Sequence, residues 1–457
     1  MAKKLWGGRF KKEIDKDFFE FQKSIQYDYA LAEYDLYHSA LHIKALRDEK
    51  ILTVQECGRL WTAFQEILVE IKSGTFKPDL RSEDIHTEIQ NRVQKKVGDL
   101  ALKMHTLRSR NDQIVFDEKR YCVEKGSQTA DLLLGVMKSL SKLAARYSAE
   151  LFIGFTHTQR AQVIYFSDYL RAHENMFVRD YQRLTACYQN IVTYIGAGAI
   201  AGSSLQASSY HKAVSSTASL LGGKIEAAAN PIDSVSDRDF IIEFLSILSI
   251  IQMHLSRLSE DLILYSTKEF NYIDLPEEFC TGSSLMPHKK NPDFLELVRG
   301  YTGRIYGNLM AVLTTMKALP LSYNRDMQLD KEPLFSSVAI IQDELKIMAR
   351  FIPILTVHVT GVSKALEDEG LYATELAEFL VKEKGVPFKE AHTLIGKLIR
   401  YAHDEQVKIK EMPDKLLRSF HASLAQAEVR RIMSPQYAVK SKKSFTRKIQ
   451  QLKRPSR

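Results

Sequence analysis

Apolar positions recur along this chain at steps of three and four over long distances, the pattern of helices and not of strands. Between Asp79 and Asn230 no proline occurs in 152 residues, and the stretch is rich in Leu, Ala, Ile, Gln, Lys and Arg. Good helix formers, free of the residue that breaks helices, predict long helices. The clearest segment is 236–270, where Phe240, Phe244, Leu248, Ile251, Leu255, Leu258 and Leu262 form one stripe. Asp237 and Asp239 stand at its start, where acidic groups meet the positive end of a helix dipole. At 1.5 Å per residue such a helix is about 50 Å long and needs partners along its length. The expected fold class is therefore all-α, built on a central bundle of long helices. Ile241, Leu245, Ile247, Ile250 and Met253 add a second apolar face. A helix apolar on most sides is buried on most sides, so packing by other subunits is expected.

Shorter amphipathic helices are predicted at 31–48 and 53–73, and a longer one at 294–315. Two more follow at 373–384, stopped by Gly385 with Pro387 behind it, and at 388–403. Past Gly361 the pattern reads as a small helical domain. No internal repeat is visible.

Composition narrows what this bundle can be. With 457 residues, 45% of them hydrophobic and 26% charged, the chain is globular. That length suggests about two to four domains. The strongest apolar run, 240–251, is interrupted by Glu243, Ser246 and Ser249, short of the roughly 20 apolar residues of a membrane span. The first ten residues lack the apolar core of an export signal, so a cytoplasmic location and no membrane partner are expected. Cys57, Cys122, Cys187 and Cys280 are scattered without a Cys-x-x-Cys pair, which suggests neither a disulfide framework nor a zinc site. The net charge of +8 is matched by eight Lys or Arg, without an acid, in the final 18 residues, so 8 − 8 leaves the remainder neutral. This basic tail offers only Phe445 for stacking on a base, and no nucleic-acid partner is expected.

Four polar clusters interrupt the helical pattern. Thr281 to Asp293 places Ser283, Ser284, Lys289, Lys290 and Asn291 among Gly and Pro between two periodic segments. That composition suits a loop that closes over a small anionic substrate. Ser82-Glu-Asp-Ile-His-Thr-Glu88 is followed by His105-Thr-Leu-Arg-Ser-Arg-Asn-Asp-Gln113, where Arg108 and Arg110 could fork onto carboxylates. Ser109 or Asn111 could equally cap a helix there. In Gly154-Phe-Thr-His-Thr-Gln-Arg-Ala-Gln162, read as lying near a helix start, His157 is the best acid–base candidate among 13 histidines. Tyr323-Asn-Arg-Asp-Met-Gln-Leu-Asp-Lys-Glu332 could present Tyr323, Gln328 and Lys331 to one polar ligand. A fifth motif, Gly196-Ala-Gly-Ala-Ile-Ala-Gly202, follows the strand-like Ile191–Ile195 and has Glu226 downstream. It could cradle a dinucleotide, but the alternating strands and helices of such a fold are missing. A sharp turn between helices, or a close backbone approach to a ligand, fits better.

Gly282-Ser-Ser-Leu-Met-Pro-His-Lys-Lys-Asn-Pro292 resembles the loop that marks the aspartase/fumarase superfamily. The clusters at 82–88, 105–113, 154–162 and 323–332 resemble its argininosuccinate lyase branch, as do Val235–Phe240 and Ser259–Phe270. The likeness runs from Leu5-Trp-Gly-Gly-Arg-Phe10 to Lys384-Gly-Val-Pro-Phe-Lys-Glu-Ala-His392. The resemblance implies a three-domain all-α subunit: 1–110 with substrate-binding motifs, 111–361 as the bundle carrying the loop, and 362–457 with the basic tail. It also implies a homotetramer whose active sites are shared between subunits, and the reversible cleavage of the small molecule argininosuccinate into fumarate and arginine. By motif position, Ser283 matches the loop serine, His157 the catalytic histidine and Glu296 the acid paired with it. Ser24, Asn111, Thr156, Asn291, Tyr323, Gln328 and Lys331 match substrate-binding positions. Ser109, Arg110 and Lys289 lie in the same binding motifs.

The chemistry accounts for these groups. Removing a proton beside a carboxylate builds a doubly charged aci-carboxylate, which fixed donors such as Lys289, Asn291 and loop amides would stabilise. A serine becomes a base only where positive charge and amide dipoles favour its alkoxide. No metal and no organic cofactor is signalled. Sister lyases on other N-substituted aspartates such as adenylosuccinate, and a non-catalytic relative, are the alternatives. Four departures from the family pattern stand out: Leu107 for a usual Gly, Val163 for a frequent Pro, His288 for a common Gln, and the divergent 203–211.

Overall fold

The computed structural model describes residues 11–217 and 223–442. The Leu5–Phe10 motif and all but the first residues of the basic tail lie outside them. The fold is all-α. Its long helices are Arg110–Arg146, Phe166–Asn190, Asp239–Ser266, Asp293–Met316 and Lys331–Phe351. Helices read from periodicity fall close to their expected bounds: Ala32–Asp48, Val54–Lys72, Ala373–Lys384 and Phe388–Asp404. Their ends follow local chemistry. Thr53 Oγ accepts the Glu56 amide while the Glu56 carboxylate accepts the Thr53 amide, a reciprocal cap. Gly385 closes Ala373–Lys384 at φ +68°, a conformation that glycine adopts without a Cβ clash.

Among the described residues, three two-stranded sheets interrupt the helices. Leu151–Thr156 and Gln159–Tyr165 form an antiparallel hairpin, so His157 sits on a β-turn and not near a helix start. The period-two run of aromatic and β-branched residues wins there over helix propensity. Val192–Ile195 is a strand, as its composition suggested, and pairs in parallel with Lys224–Ala227. Glu226 lies opposite Tyr194 within that pair, and the next helix after Gly202 begins only at Ala207. The glycines therefore do not open a helix, and the phosphate cradle of a dinucleotide site is not formed. Gly196, Gly198 and Gly202 all have positive φ, and Ala197 and Gly196 carbonyls accept the Gly202 and Ser203 amides. This is a tight turn.

The chain comprises two compact units, one drawn from Met1–Val136, Phe177–Arg257 and Leu297–Met348, the other from Met137–Met176, Leu258–Glu296 and Ala349–Arg457. By length and composition Asp239–Ser266 could cross a membrane. Phe244, Leu245, Leu248, Ile251, Leu255 and Leu262 are instead fully buried within the chain. Ile241 and Ile247 are buried too, whereas Ile250 and Met253 stay partly exposed. A single chain thus covers more of this helix than its pattern implied.

In the first unit Glu344 is buried on Lys331–Phe351, where the Gln252 side chain only partly offsets the cost of burying its carboxylate. Burial pushes its carboxyl up to about 8. The folded state then binds this proton more tightly than the unfolded chain. The stability that results is fully present below the ordinary glutamate range near pH 4 and is lost as pH rises through about 8. Glu344→Gln should flatten the dependence of the urea midpoint on pH between 5 and 9 and stabilise the protein at pH 9. An unchanged slope would show that Glu344 is ionised in the fold.

Candidate active site

In the first unit the site residues gather around the start of Arg110–Arg146. The Ser109 hydroxyl accepts the Asn111 amide at 3.2 Å, and Asn111 Nδ2 donates to the Ala199 carbonyl at 3.1 Å. Arg110 is drawn to the acidic cluster: its guanidinium lies 2.8 Å from Asp84 and 3.6 Å from Glu83, and donates to Thr87 Oγ. Arg108 turns the other way and donates to Ser39 Oγ, His38 Nδ1 and His105 Nδ1. It supports the turn from within, instead of forking onto a ligand carboxylate. Leu107 stands at φ +62°, a left-handed conformation that costs a residue with a Cβ about 1–2 kcal/mol.

Ser24 lies beside this cluster. Its amide donates to the Glu83 carbonyl, and its hydroxyl donates to Asp28 Oδ2 at 2.6 Å. Burial, reinforced by the charge of Asp84, pushes Asp28 up to about 6. Gln328 Nε2 donates to the Gln22 carbonyl at 3.0 Å and reaches the Tyr27 hydroxyl at 3.4 Å, while Arg325 spans Gln22 and Glu83. Ser24, Arg110 and Gln328 therefore belong to one polar network. Arg325, from the 323–332 cluster, joins it, and so does Tyr27, which no sequence signal singled out.

Lys331 is almost wholly buried. Its ammonium lies 2.6 Å from Glu118 and 3.0 Å from Asp330, and Arg238 contacts the same two carboxylates. Burial alone would lower Lys331, but Asp330 and Glu118 outweigh it and hold the ammonium above the usual lysine range. Burial and the charges of Lys331, Arg238 and Asp330 also act on Tyr323, and the net effect raises its phenol. Glu118 and Arg238 lie within or just beyond recognised motifs. Their role was hidden because nothing in the sequence says that Lys331 is buried and needs counter-charges. Nearby, Asp35, His86 and Asp117 form a buried cluster in which His86 Nδ1 lies 2.9 Å from Asp35. Gln113 also donates to Asp35, and we read the group as an ion-paired core.

The second unit carries the His157 hairpin and the Thr281–Asp293 loop. Thr156 ends the first hairpin strand, and His157 and Thr158 form the turn at φ +53° and +59°. Two consecutive non-glycine residues in the left-handed region, one of them β-branched, mark local strain of the kind found at functional sites. The hairpin is anchored by rings: Phe152 is 4.9 Å from Phe166 and 5.3 Å from Tyr265, and Phe155 is 5.7 Å from Phe270. Those partners explain the aromatic content of the Ser259–Phe270 motif. Val163, where a proline is frequent, pairs with Ile153 within the hairpin and suits a strand.

The Thr281–Asp293 loop is pinned at its base and exposed at its tip. Thr281 and Asn291 exchange backbone hydrogen bonds at 3.2 and 2.8 Å, and Thr281 Oγ donates to Asp293 Oδ2 at 2.6 Å. Ser283 Oγ accepts the amides of Met286 at 3.0 Å and Leu285 at 3.3 Å. Two fixed N–H dipoles on one hydroxyl oxygen favour negative charge there. Lys290 is paired with Asp274 at 2.9 Å. Lys289 and His288 are exposed, and Glu296 lies exposed in the first turn of Asp293–Met316. The structure thus divides the sequence-derived residues. Ser283, His157, Thr156, Lys289, Asn291 and Glu296 are in the second unit, and Ser24, Ser109, Arg110, Asn111, Tyr323, Gln328 and Lys331 in the first.

A family profile described as "Lyase" matches residues 8–307, and one described as "Argininosuccinate lyase C-terminal" matches 370–440. The argininosuccinate lyase of Caldanaerobacter subterraneus subsp. tengcongensis is 42% identical over 91% of this chain and 93% of its own length. That of Legionella pneumophila subsp. pneumophila is 43% identical over 90% and 99%. The chain belongs to the argininosuccinate lyase family. The family likeness extends through the C-terminal region, well beyond Lys384–His392, where the last motif had been placed. At lower identity the fold is shared more widely. An EDDS lyase in complex with formate superposes with a TM-score of 0.76 at 21% identity, over 92% of this chain and 83% of that one. The class II fumarase of Schistosoma mansoni gives 0.76 at 15%, over 92% and 93%.

Proposed function

We propose that this lyase catalyses the reversible elimination of argininosuccinate to fumarate and L-arginine. Near-full-length identity of about 42% to argininosuccinate lyases carries this reading. In the proposed reaction Ser283 Oγ takes the proton from the carbon next to a succinyl carboxylate. The amide donors at Ser283 Oγ support an alkoxide in that role. Lys289, Asn291 and the loop amides stabilise the aci-carboxylate that forms. The C–N bond then breaks, and the departing guanidino nitrogen receives a proton from His157, which is polarised by Glu296. Thr156 and the first-unit network of Ser24, Ser109, Arg110, Asn111, Tyr323, Gln328 and Lys331 bind the substrate. Regions 1–110, 111–361 and 362–457 serve as the three domains.

The finer reading includes a cytoplasmic homotetramer whose sites are completed by neighbouring subunits. Exposed apolar side chains support it: Leu297, Tyr301, Tyr306, Met310 and Leu313 stand out from Asp293–Met316, and burial against another copy would remove them from water. One experiment tests the activity. The purified protein should release fumarate from argininosuccinate, followed by ultraviolet absorbance, and none from adenylosuccinate. The reverse selectivity would overturn the substrate assignment. Light scattering should give the mass of a tetramer, and a monomer would sink the shared-site reading.

A further inference from the structure

The Leu107 turn and the 203–211 segment touch each other in the first unit. Ser203 Oγ donates to the Leu107 carbonyl at 3.0 Å and accepts the Leu205 amide at 3.3 Å. Further along, the Tyr210 hydroxyl lies 3.1 Å from His42 Nδ1, and His42 Nε2 lies 2.8 Å from the Thr106 carbonyl. A carbonyl only accepts, so Nε2 carries the proton and Nδ1 accepts from the tyrosine. The preceding glycine turn holds the same stretch from its other end. Asp112 Oδ2 accepts the Gly196 amide at 3.0 Å, and the Ala199 carbonyl accepts Asn111 Nδ2. Thr106, Leu107, Asn111 and Asp112 are thus all tied, directly or through His42, to residues 196–210.

Leu107 makes these ties necessary. At φ +62° it holds a backbone conformation that glycine adopts freely and leucine resists. Its side chain is 45% exposed, so packing does little to enforce the conformation. The hydrogen bond from Ser203 acts directly on the strained residue's carbonyl. Without it, the leucine backbone would relax toward negative φ and carry Ser109–Asn111 with it.

We propose that Ser203 and Tyr210 are positioning residues for Asn111. They hold the Thr106–Asp112 turn in the form that presents Asn111 to the substrate, and Ser203 offsets the strain that Leu107 carries at positive φ. This rests on the reading of Asn111 as a substrate-binding group.

Steady-state kinetics with argininosuccinate test it. Ser203→Ala should raise KM about fivefold with kcat within about twofold, as expected when one hydrogen bond that orients a binding group is lost. Tyr210→Phe keeps the ring and should raise KM about threefold. Adding Leu107→Gly to Ser203→Ala should bring KM back to within about twofold of the native value. A purely structural role would lower the amount of active enzyme and leave KM alone. An unchanged KM in Ser203→Ala, or one that Leu107→Gly does not restore, overturns the proposal. Unfolding midpoints close the same cycle without turnover: Ser203→Ala should cost more in the native background than in Leu107→Gly, and equal losses overturn it. A native protein that releases no fumarate would instead overturn the lyase reading, and the unfolding cycle then decides alone.

Discussion

Ser283→Ala should lower kcat for fumarate release by about a thousandfold or more, the scale of losing a positioned general base. Folding should be almost unaffected. The side chain sits on a loop whose neighbours Leu285 and Met286 are 84% and 39% exposed, so no cavity opens. Exposed changes of this size usually stay within about 0.5 kcal/mol. The hydroxyl does accept the Leu285 and Met286 amides, but water can replace it at an exposed turn. The measurement is fumarate formation at saturating substrate, with a urea curve on the same sample. A kcat within tenfold of the native enzyme would remove Ser283 from the proton-abstraction step. If Ser283 and His157 act in one elimination, Ser283→Ala with His157→Gln should be little worse than the poorer single variant.

Arg238→Met is the substitution expected to cost the most stability. Arg238 is fully buried against Glu118 and Asp330, which are buried too, and Lys331 completes the network. Two carboxylates against two cations are balanced. Removing one cation leaves an uncompensated buried charge, which costs about 3–5 kcal/mol. Methionine fills similar space, so the loss is electrostatic and not a cavity. Pairing it with Asp330→Asn should recover much of the loss, because balance returns. Urea midpoints of the two variants measure this, and a loss below about 1 kcal/mol for Arg238→Met would show that water already screens the network. Lys331 would also lose its alignment in the single variant, so KM for argininosuccinate should rise with it.

The helices could be read from the chain alone because each is coded locally. Phe388–Asp404 carries its periodicity, and Ala373–Lys384 both its periodicity and its stop signal, in consecutive residues. The hairpin at Leu151–Tyr165 could not, because His157-Thr158 is a poor turn pair by local rules. It is held by rings from Ser259–Phe270, about a hundred residues away in the chain. The same distinction separates the site residues. Ser283, Lys289 and Asn291 announce themselves in one loop. Glu118 and Arg238 gained a role only when folding placed them against Lys331.

By itself the sequence determined the all-α class, its long helices and the family, and it nominated the candidate reactive groups. Those properties depend on residue type and spacing along one segment, which the chain carries before it folds. The tertiary structure decided that Arg108 supports a turn and does not grip a ligand. It also decided that Arg110 leans on Asp84, and that Leu107 and Ser203, 96 residues apart, share a hydrogen bond. Burial and partnership are properties of pairs distant in the chain, and only the folded backbone brings those pairs within bonding distance.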